Sequence, residues 1–249
     1  MSGHSKWATI KHQKGAKDAK RGKVFAKLIR QVEVAAREGG GDPDANPTLR
    51  TMYQKARDAS VPLDTIERAV KRGTGELEGV RYEPANYEGY APCGVAVYVE
   101  TLTDNRNRTG SEVRSAFSKL GGSLAEPGAV AWQFERKGVV ILPKKLDEDA
   151  LMDVVLEAGA DDIVDDGDSW RIVCEPSSLS DVRGALEGAD VAFDSADVTM
   201  QPTTSVTLDT AEDAKKVLRL IDALDELDDV QDVYSNFDIL DLILQSMSL

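Results

Sequence analysis

The sequence predicts an α+β protein in which a small helical domain is followed by two ferredoxin-like α+β domains, the second inserted in the first. Three observations lead to this prediction. The apolar period is helical between Val24 and Gly75, strand-like and helix-like segments alternate after residue 86, and residues 138–202 carry a complete β-α-β-β-α-β pattern. A chain of 249 residues also favours more than one compact unit.

The helical domain is expected over residues 24–75. Two sets of apolar side chains follow the i, i+3, i+4, i+7 spacing of an amphipathic helix, at Phe25, Leu28, Ile29 and Val32 and at Leu49, Met52, Tyr53 and Ala56. The run Gly39–Asp44 separates the two helices, and Asn46 before Pro47 is a typical N-cap. A third short helix should follow Pro62 and end at Gly73.

The first α+β domain is expected over residues 87–137 plus 203–249, after a link over residues 74–86. Its elements are strand 95–101, helix 111–120, strand 129–135, strand 205–208, helix 211–227 and strand 230–234. The segment Tyr87–Gly94 enters this domain. Its two tyrosines predict either a stacking ledge or, preferably, a rigid loop whose rings fill a core.

Residues 138–202 are expected to form the inserted domain. Strands at 139–142, 162–164, 170–174 and 193–200 alternate with helices at 148–157 and 179–186. The alternative places three domains strictly in sequence, which leaves residues 203–249 with one strand-helix-strand and no partner sheet. Insertion is therefore preferred.

Charge is distributed very unevenly along the chain. Residues 1–75 hold 16 basic and 8 acidic side chains, whereas the net charge of the whole chain is -14. The first 30 residues carry nine Lys or Arg against one acid, Asp18. Local charge sets the field that a phosphate backbone meets, so the basic end is the candidate site for a polyanion.

We expect residues 1–23 to form a flexible basic arm that contacts phosphates. Lys recurs every third residue from Lys11 to Lys20, and Trp7 and His12 supply planar groups that can stack on unpaired bases. The alternative is a solvated tail that only aids solubility. The sign of the tail, opposite to that of the whole protein, favours binding.

A second candidate segment runs from Asp104 to Glu112, where a strand should end and a helix begin. Exposed amides at a helix N-terminus favour anions, and Arg106 and Arg108 would add bidentate charge. An equally supported alternative is that Thr109 or Ser111 caps the helix while the arginines pair with nearby acids. The acidic groups near residues 222–229 are interpreted as a solvated helix face.

The residues expected to contact nucleic acid are Lys6, Trp7, Lys11, His12, Lys14, Lys17, Lys20, Arg21, Lys23, Lys27, Arg30, Arg106 and Arg108. No catalytic or metal-binding residue, no cofactor and no small-molecule substrate is expected. The chain has two His, both in the arm, two widely separated Cys, and no P-loop, G-x-G-x-x-G or H-E-x-x-H motif. Without a secretory leader or a long apolar run, it is expected in the cytoplasm and not in a membrane.

Several motifs together resemble the YebC/PmpR family. They are Ser2–Trp7, Asp18–Lys23, Gly39–Pro43, Tyr87–Tyr90, Asp104–Thr109 and Ala116–Lys119, and the resemblance runs over essentially the whole chain. It implies one helical and two α+β domains and a role as a probable DNA-binding transcriptional regulator. Mitochondrial relatives in that family act as translational activators, and bacterial members are linked to ribosomes that translate proline-rich stretches. Cys93 departs from the pattern, since many relatives have Pro-Gly-Gly where this chain has Pro92-Cys93-Gly94.

The leading hypothesis is a non-enzymatic, nucleic-acid-binding regulator of gene expression, with DNA as the partner that the family description implies. The first alternative is a translation factor that binds ribosomal RNA or the ribosome, because a basic arm with Trp7 and His12 suits irregular RNA. The second alternative is an acidic protein-interaction module. An enzyme that holds a phosphorylated molecule through Arg106 and Arg108 is the least favoured.

Overall fold

A computed structural model describes residues 18–167, 169–240 and 243. The helices are α1 (Asp18–Gly39), α2 (Pro47–Asp58), α3 (Leu63–Thr74), α4 (Arg106–Lys119), α5 (Glu148–Val155), α6 (Leu179–Gly188) and α7 (Ala211–Asp225). The strands are β1 (Glu83–Tyr90), β2 (Ala96–Thr103), β3 (Ser123–Ala125), β4 (Phe134–Pro143), β5 (Ala160–Asp165), β6 (Ser169–Cys174), β7 (Ser195–Pro202), β8 (Val206–Leu208), β9 (Val230–Ser235) and β10 (Phe237–Ile239). The α+β fold class is confirmed.

Helices α1, α2 and α3 form one unit around a core of their own. Val32, Leu49 and Ile66, one from each helix, are fully buried in it. The predicted cap at Asn46 is confirmed, because its side chain accepts a hydrogen bond from the Leu49 amide. At Gly73 a Cβ atom would lie 2.4 Å from the Glu33 carbonyl oxygen, so glycine allows α3 to approach α1 closely.

The C-terminal boundary that was predicted for the basic arm is wrong. The arm was expected to reach residue 23, but α1 includes residues 18–23. The prediction began the helix at Val24 because no apolar residue marks a buried face before it. By helix propensity, however, Ala19, Lys20 and Arg21 are all strong helix formers.

The first sheet has the strand order β3-β1-β2-β9, and all neighbouring strands are antiparallel. Helices α4 and α7 share one core with it, in which Val97, Phe117 and Leu224 are fully buried. Strand β1 occupies residues that the sequence assigned to a link and a loop. Its composition hid it, since Pro84 and Gly89 are poor strand formers. A Cβ at Gly89 would lie 2.6 Å from the Ser123 carbonyl oxygen, so packing demands glycine there.

The second sheet has the order β5-β6-β4-β7, again with antiparallel neighbours. This is the ferredoxin-like order predicted from β-α-β-β-α-β. The first sheet has the same order in space. The connection β2-α4-β3 forms a crossover here, and β1 lies between β2 and β3 in the sheet. In sequence, however, β1 precedes this crossover instead of following it. The 205–208 strand predicted for this sheet lies outside it, where β8 pairs with β10 in parallel.

The chain leaves the first sheet after β3, forms the second sheet and returns through α7 and β9. The expected strand over residues 129–135 is instead a turn and a short 3-10 helix that lead into β4. The Glu88 carboxylate fixes this turn by accepting hydrogen bonds from the amides of Gly128, Val130 and Ala131 at 2.7–2.8 Å. Among the described residues, no helix is long and apolar enough to cross a membrane.

Candidate nucleic-acid interface

The predicted contact residues fall into three groups in the structure. Lys6, Trp7, Lys11, His12, Lys14 and Lys17 lie outside the described residues, and Lys20 and Arg21 are described only as backbone of α1. Lys23, Lys27 and Arg30 lie on one face of α1, at i, i+4 and i+7. Arg106 and Arg108 lie in the first turn of α4.

The three cations of α1 contact the C-terminal end of α7 and the turn that follows it. The Lys23 amine lies 2.8 Å from a Glu226 carboxylate oxygen and also donates to the Glu226 carbonyl at 2.9 Å. The Lys27 amine lies 3.3 Å from an Asp225 carboxylate oxygen and donates to the Asp225 carbonyl at 3.1 Å. The acidic segment interpreted as a solvated face is therefore an intramolecular partner of the basic helix.

Arg30 completes the row. Its guanidinium donates to the Asp228 carbonyl, lies 3.2 Å from an Asp229 carboxylate oxygen, and stacks over the Tyr82 ring at 4.9 Å. The arrangement follows from the helix dipole, because the carbonyls at the C-terminal end of α7 and nearby carboxylates together attract cations. The hydrogen bond to Glu226 is the largest cause that raises the pKa of Lys23.

Asp229 is the buried centre of this contact. One of its carboxylate oxygens accepts hydrogen bonds from Thr109 at 2.6 Å, Arg108 at 2.6 Å and Thr103 at 3.1 Å. The other lies next to Arg30. Burial acts to raise the pKa of Asp229, but the hydrogen bonds from Thr109, Arg108 and Thr103 outweigh it and leave the pKa below its usual value.

The first turn of α4 is organised differently from the prediction. The helix begins at Arg106, and Asn105, not Thr109 or Ser111, caps it by accepting a hydrogen bond from the Arg108 amide. The sequence interpretation missed this cap because it expected the helix to begin at residue 111, six positions after Asn105. Arg108 pairs with carboxylates on both sides, at Asp104 and Asp229. Those two hydrogen bonds raise the pKa of Arg108.

Arg106 is more open than Arg108. Its side chain is 63% exposed, lies 3.5 Å from a Glu83 carboxylate oxygen and donates to the Pro84 carbonyl at 3.1 Å. An exposed ion pair of this kind contributes about 0–1 kcal/mol, so Arg106 can exchange Glu83 for another anion at little cost.

An open cleft of 650 Å³ joins the basic face of α1 to the first turn of α4. Its lining includes Lys23 and Arg30 of α1, Arg108 of α4, and Asp228 and Asp229 of the turn after α7. The structure therefore brings Arg108 close to Lys23 and Arg30, which are about 80 positions away in sequence, and all three were predicted to contact nucleic acid.

The helical unit also contacts β7 and α6 of the second α+β unit through long polar side chains. Lys55 of α2 lies 2.9 Å from an Asp197 carboxylate oxygen of β7, and Arg183 of α6 lies 3.2 Å from an Asp58 carboxylate oxygen of α2. Burial lowers the pKa of Lys55, but Asp197 and the nearby carboxylates of β9 and β2 raise it further than burial lowers it. The apolar core of the helical unit consists of residues 25–70 alone, among those described.

The tyrosines of Tyr87–Gly94 are half-buried and bonded to backbone. The Tyr87 hydroxyl donates to the Arg106 carbonyl at 3.3 Å, and the Tyr90 hydroxyl donates to the Ala129 carbonyl at 3.2 Å. Burial raises the pKa of Tyr87. These contacts favour the structural interpretation over a stacking ledge.

Trp132 is an exposed aromatic residue that the sequence interpretation missed. Its side chain is 68% exposed, although the turn that carries it is held by Glu88 and its indole N–H donates to the Ala129 carbonyl at 3.1 Å. The sequence placed it in a strand, where alternation would have buried it or its neighbours. Within the described part of the chain, no group of three or more His, Cys, Asp or Glu could hold a metal ion.

Comparison with known proteins decides the family. Residues 5–76 match the model of the TACO1/YebC protein N-terminal domain, and residues 82–237 match that of the TACO1/YebC second and third domain. The chain belongs to the TACO1/YebC family. The resemblance seen in the sequence motifs is thus confirmed, and the boundary between the two matched regions falls in the link before β1.

Other members of the TACO1/YebC family align over the whole chain. A probable transcriptional regulatory protein of Saccharopolyspora erythraea is 57% identical over 100% of both chains. One from Geobacter sulfurreducens is 55% identical over 96% of both. The crystal structure of a conserved hypothetical protein from Aquifex aeolicus matches with a TM-score of 0.82 and 46% identity, over 92% of this chain and 96% of the other.

Proposed function

We propose that this protein is a non-enzymatic, nucleic-acid-binding regulator of gene expression that holds phosphates with its basic arm and α1. The curated relatives named as probable transcriptional regulatory proteins support the regulatory role. The observation that carries the binding role is the single row of Lys23, Lys27 and Arg30 on α1, which continues the Lys-rich segment of residues 11–21.

The chemistry of these contacts fits a phosphate backbone. In the structure each of the three cations donates to two oxygen atoms, one from a carbonyl and one from a carboxylate. Phosphate groups present oxygens with the same acceptor character and more charge, so the same side chains can hold them. The acidic remainder of the molecule repels a polyanion and confines it to this side.

The second candidate function is a translation factor that binds ribosomal RNA. One feature of the helical unit supports it, because this unit suits RNA or single-stranded nucleic acid better than the major groove of duplex DNA. In a helix-turn-helix protein the second helix enters the major groove. Helix α3 follows α2 after a short turn but carries Asp64 in its first turn, paired with Arg68 at 3.6 Å, and an exposed Glu67. Carboxylates at that position oppose entry into a groove lined by phosphates.

The proposal is tested by fluorescence anisotropy with mixed-sequence RNA, single-stranded DNA and duplex DNA of equal length. The arm variant replaces Lys11, Lys14, Lys17, Lys20 and Arg21 by Gln. We expect wild-type affinity to fall with salt between about 50 and 200 mM, with a logarithmic slope of about 0.7 per phosphate contact on single strands, and the variant to bind weakly with a flatter slope.

A control variant replaces two cations outside the basic end, Lys215 and Arg219 on the exposed face of α7, by Gln, and should leave the affinity nearly unchanged. Equal affinities of the arm variant and the wild type would contradict the proposal and favour the acidic protein-interaction module. Preference for the duplex over both single strands would favour DNA; preference for RNA would favour the translation factor.

A further inference from the structure

We propose that the C-terminal end of α7 is a built-in competitor of nucleic acid for the basic face of α1, so that binding at this face releases the helical unit from the first sheet. This inference rests on the proposed function and adds its regulation. It starts from the contact of Lys23, Lys27 and Arg30 with residues 225–229.

Nucleic acid and the end of α7 would compete for the same N–H donors of Lys23 and Lys27. The Lys23 amine is engaged by both the carboxylate and the carbonyl of Glu226, and the Lys27 amine by both acceptors of Asp225. Each amine has three donors and α7 takes two of them, so a phosphate that binds an amine through two of its donors has to displace at least one of these acceptors. The carboxylate and carbonyl oxygens at the end of α7 therefore occupy donors that phosphate oxygens of a nucleic acid would use.

The contact is built so that it can open. Lys23 and Glu226 are 45% and 58% exposed, so their attraction is screened by salt. The helical unit keeps its own apolar core of residues 25–70, and no residue of the first sheet belongs to it among those described. Release of α1 from α7 exposes polar side chains and leaves both hydrophobic cores intact.

The acidic turn is also built to remain in place when α1 leaves. One oxygen of Asp229 is held by Thr103, Thr109 and Arg108, all within the first sheet and α4, and only the other faces Arg30. The turn is thus preorganised to rebind α1 when nucleic acid dissociates. Asp229 organises the competitor, and the half-buried Asp225 and the exposed Glu226 are its contact groups.

The test compares two variants with the same change in charge. Asp225→Asn with Glu226→Gln weakens the competitor, and Asp153→Asn with Glu157→Gln removes the same groups at the C-terminal end of α5, far in sequence from the contact. Affinity is measured for the mixed-sequence RNA and duplex DNA. We expect the first variant to bind about five- to tenfold more tightly than the second at low salt, because two phosphate contacts no longer need to displace a carboxylate.

The opening itself is measured by energy transfer between dyes at Gln54→Cys on α2 and Lys215→Cys on α7, in a Cys93→Ser background with Cys174 buried. We expect the transfer efficiency of the otherwise wild-type protein to fall when nucleic acid saturates it. Equal affinities of the two charge variants, or an unchanged efficiency at saturation, would overturn the competitor model while the proposed function stands. If no nucleic acid binds to either variant or to the wild type, the proposed function fails and the competitor model fails with it.

Discussion

Asp229 illustrates how one buried side chain joins parts of the chain that are far apart. Its carboxylate accepts hydrogen bonds from Thr103, Thr109 and Arg108 and lies next to Arg30, so it links β2, α4 and α1. No local pattern indicates this role, because Asp229 is one of 44 acidic residues and the partners of its carboxylate lie 120 or more positions away. By contrast, the cap at Asn46 was predictable, since its signal is local.

Replacing Asp229 by Asn should destabilise the protein by about 3 kcal/mol at neutral pH, because Arg108 and Arg30 lose a buried charged partner. The folded-state pKa of Asp229 is lowered, so its contribution is fully present above the unfolded value of about 3.9 and is lost as pH falls through the folded pKa. Urea unfolding of both proteins at neutral and acidic pH measures this difference.

The matched control for that measurement is Asp228→Asn. Asp228 is exposed and contacts Arg30 through its carbonyl, which the substitution keeps. It should change the free energy of unfolding by less than about 0.5 kcal/mol. A difference between wild type and Asp229→Asn that stays constant down to strongly acidic pH would contradict the account of Asp229.

Cys93 is a second position at which the backbone makes a prediction. Its φ of 64° lies in the left-handed region, where a non-glycine residue costs roughly 1–2 kcal/mol. Replacing Cys93 by Gly removes this cost, but the larger unfolded-state entropy of glycine destabilises the folded protein by roughly 0.5–1 kcal/mol. We expect Cys93→Gly to be equally or slightly more stable than wild type and Cys93→Val to be less stable by about 1 kcal/mol, because a β-branched side chain tolerates positive φ poorly. Urea midpoints that place Val above Gly would refute this.

At the scale of elements, helices were easier to predict than strands. The apolar spacing located α2, α5, α6 and α7 because an amphipathic face leaves a periodic signal. Strand β1 was missed because what defines it is non-local: Gly89 is required by the approach of Phe117 and β3, and no alternation marks it. The early start of α1 was missed because its first turns are rich in polar residues and carry no apolar spacing in the sequence.

The junction of α1 and α2 supports an element-scale prediction at Asn46. The side-chain amide of Asn46 donates to the carbonyls of Ala35 and Gly40 at 2.8 and 2.9 Å while its oxygen caps α2. Asn46→Asp keeps the cap but turns a carboxylate towards two carbonyl oxygens. We therefore expect a loss of about 2–3 kcal/mol in the free energy of unfolding, although Asp is normally a good cap.

Asn105→Asp is the matched control, since Asn105 caps α4 through its oxygen and is exposed. It should be neutral or slightly stabilising, because a negative charge is favourable at a helix N-terminus. Thermal unfolding of both variants tests the pair. Equal effects at the two positions would show that the donors of Asn46 contribute little.

At the scale of the whole molecule, the α+β class could be predicted from pattern changes along the chain, and the protein has ferredoxin-like strand order in both four-stranded sheets. The contact between α1 and the end of α7 could not be predicted from the sequence. Lys23, Lys27 and Arg30 meet partners about 200 positions away, and nothing in a charge run indicates whether a carboxylate or a phosphate will occupy it. The proposed competition between nucleic acid and the end of α7 would take place on this basic face of α1.

The most direct measurement is ultraviolet crosslinking in living cells, followed by sequencing of the nucleic acid attached to the wild type and to the arm variant. The account predicts abundant crosslinks to nucleic acid with the wild type and their loss with the variant. Promoter DNA among the crosslinked sequences would identify a transcriptional regulator, and ribosomal RNA would identify a translation factor. Nucleic-acid recovery that is no higher for the wild type than for the variant would contradict the central claim that this basic surface binds nucleic acid.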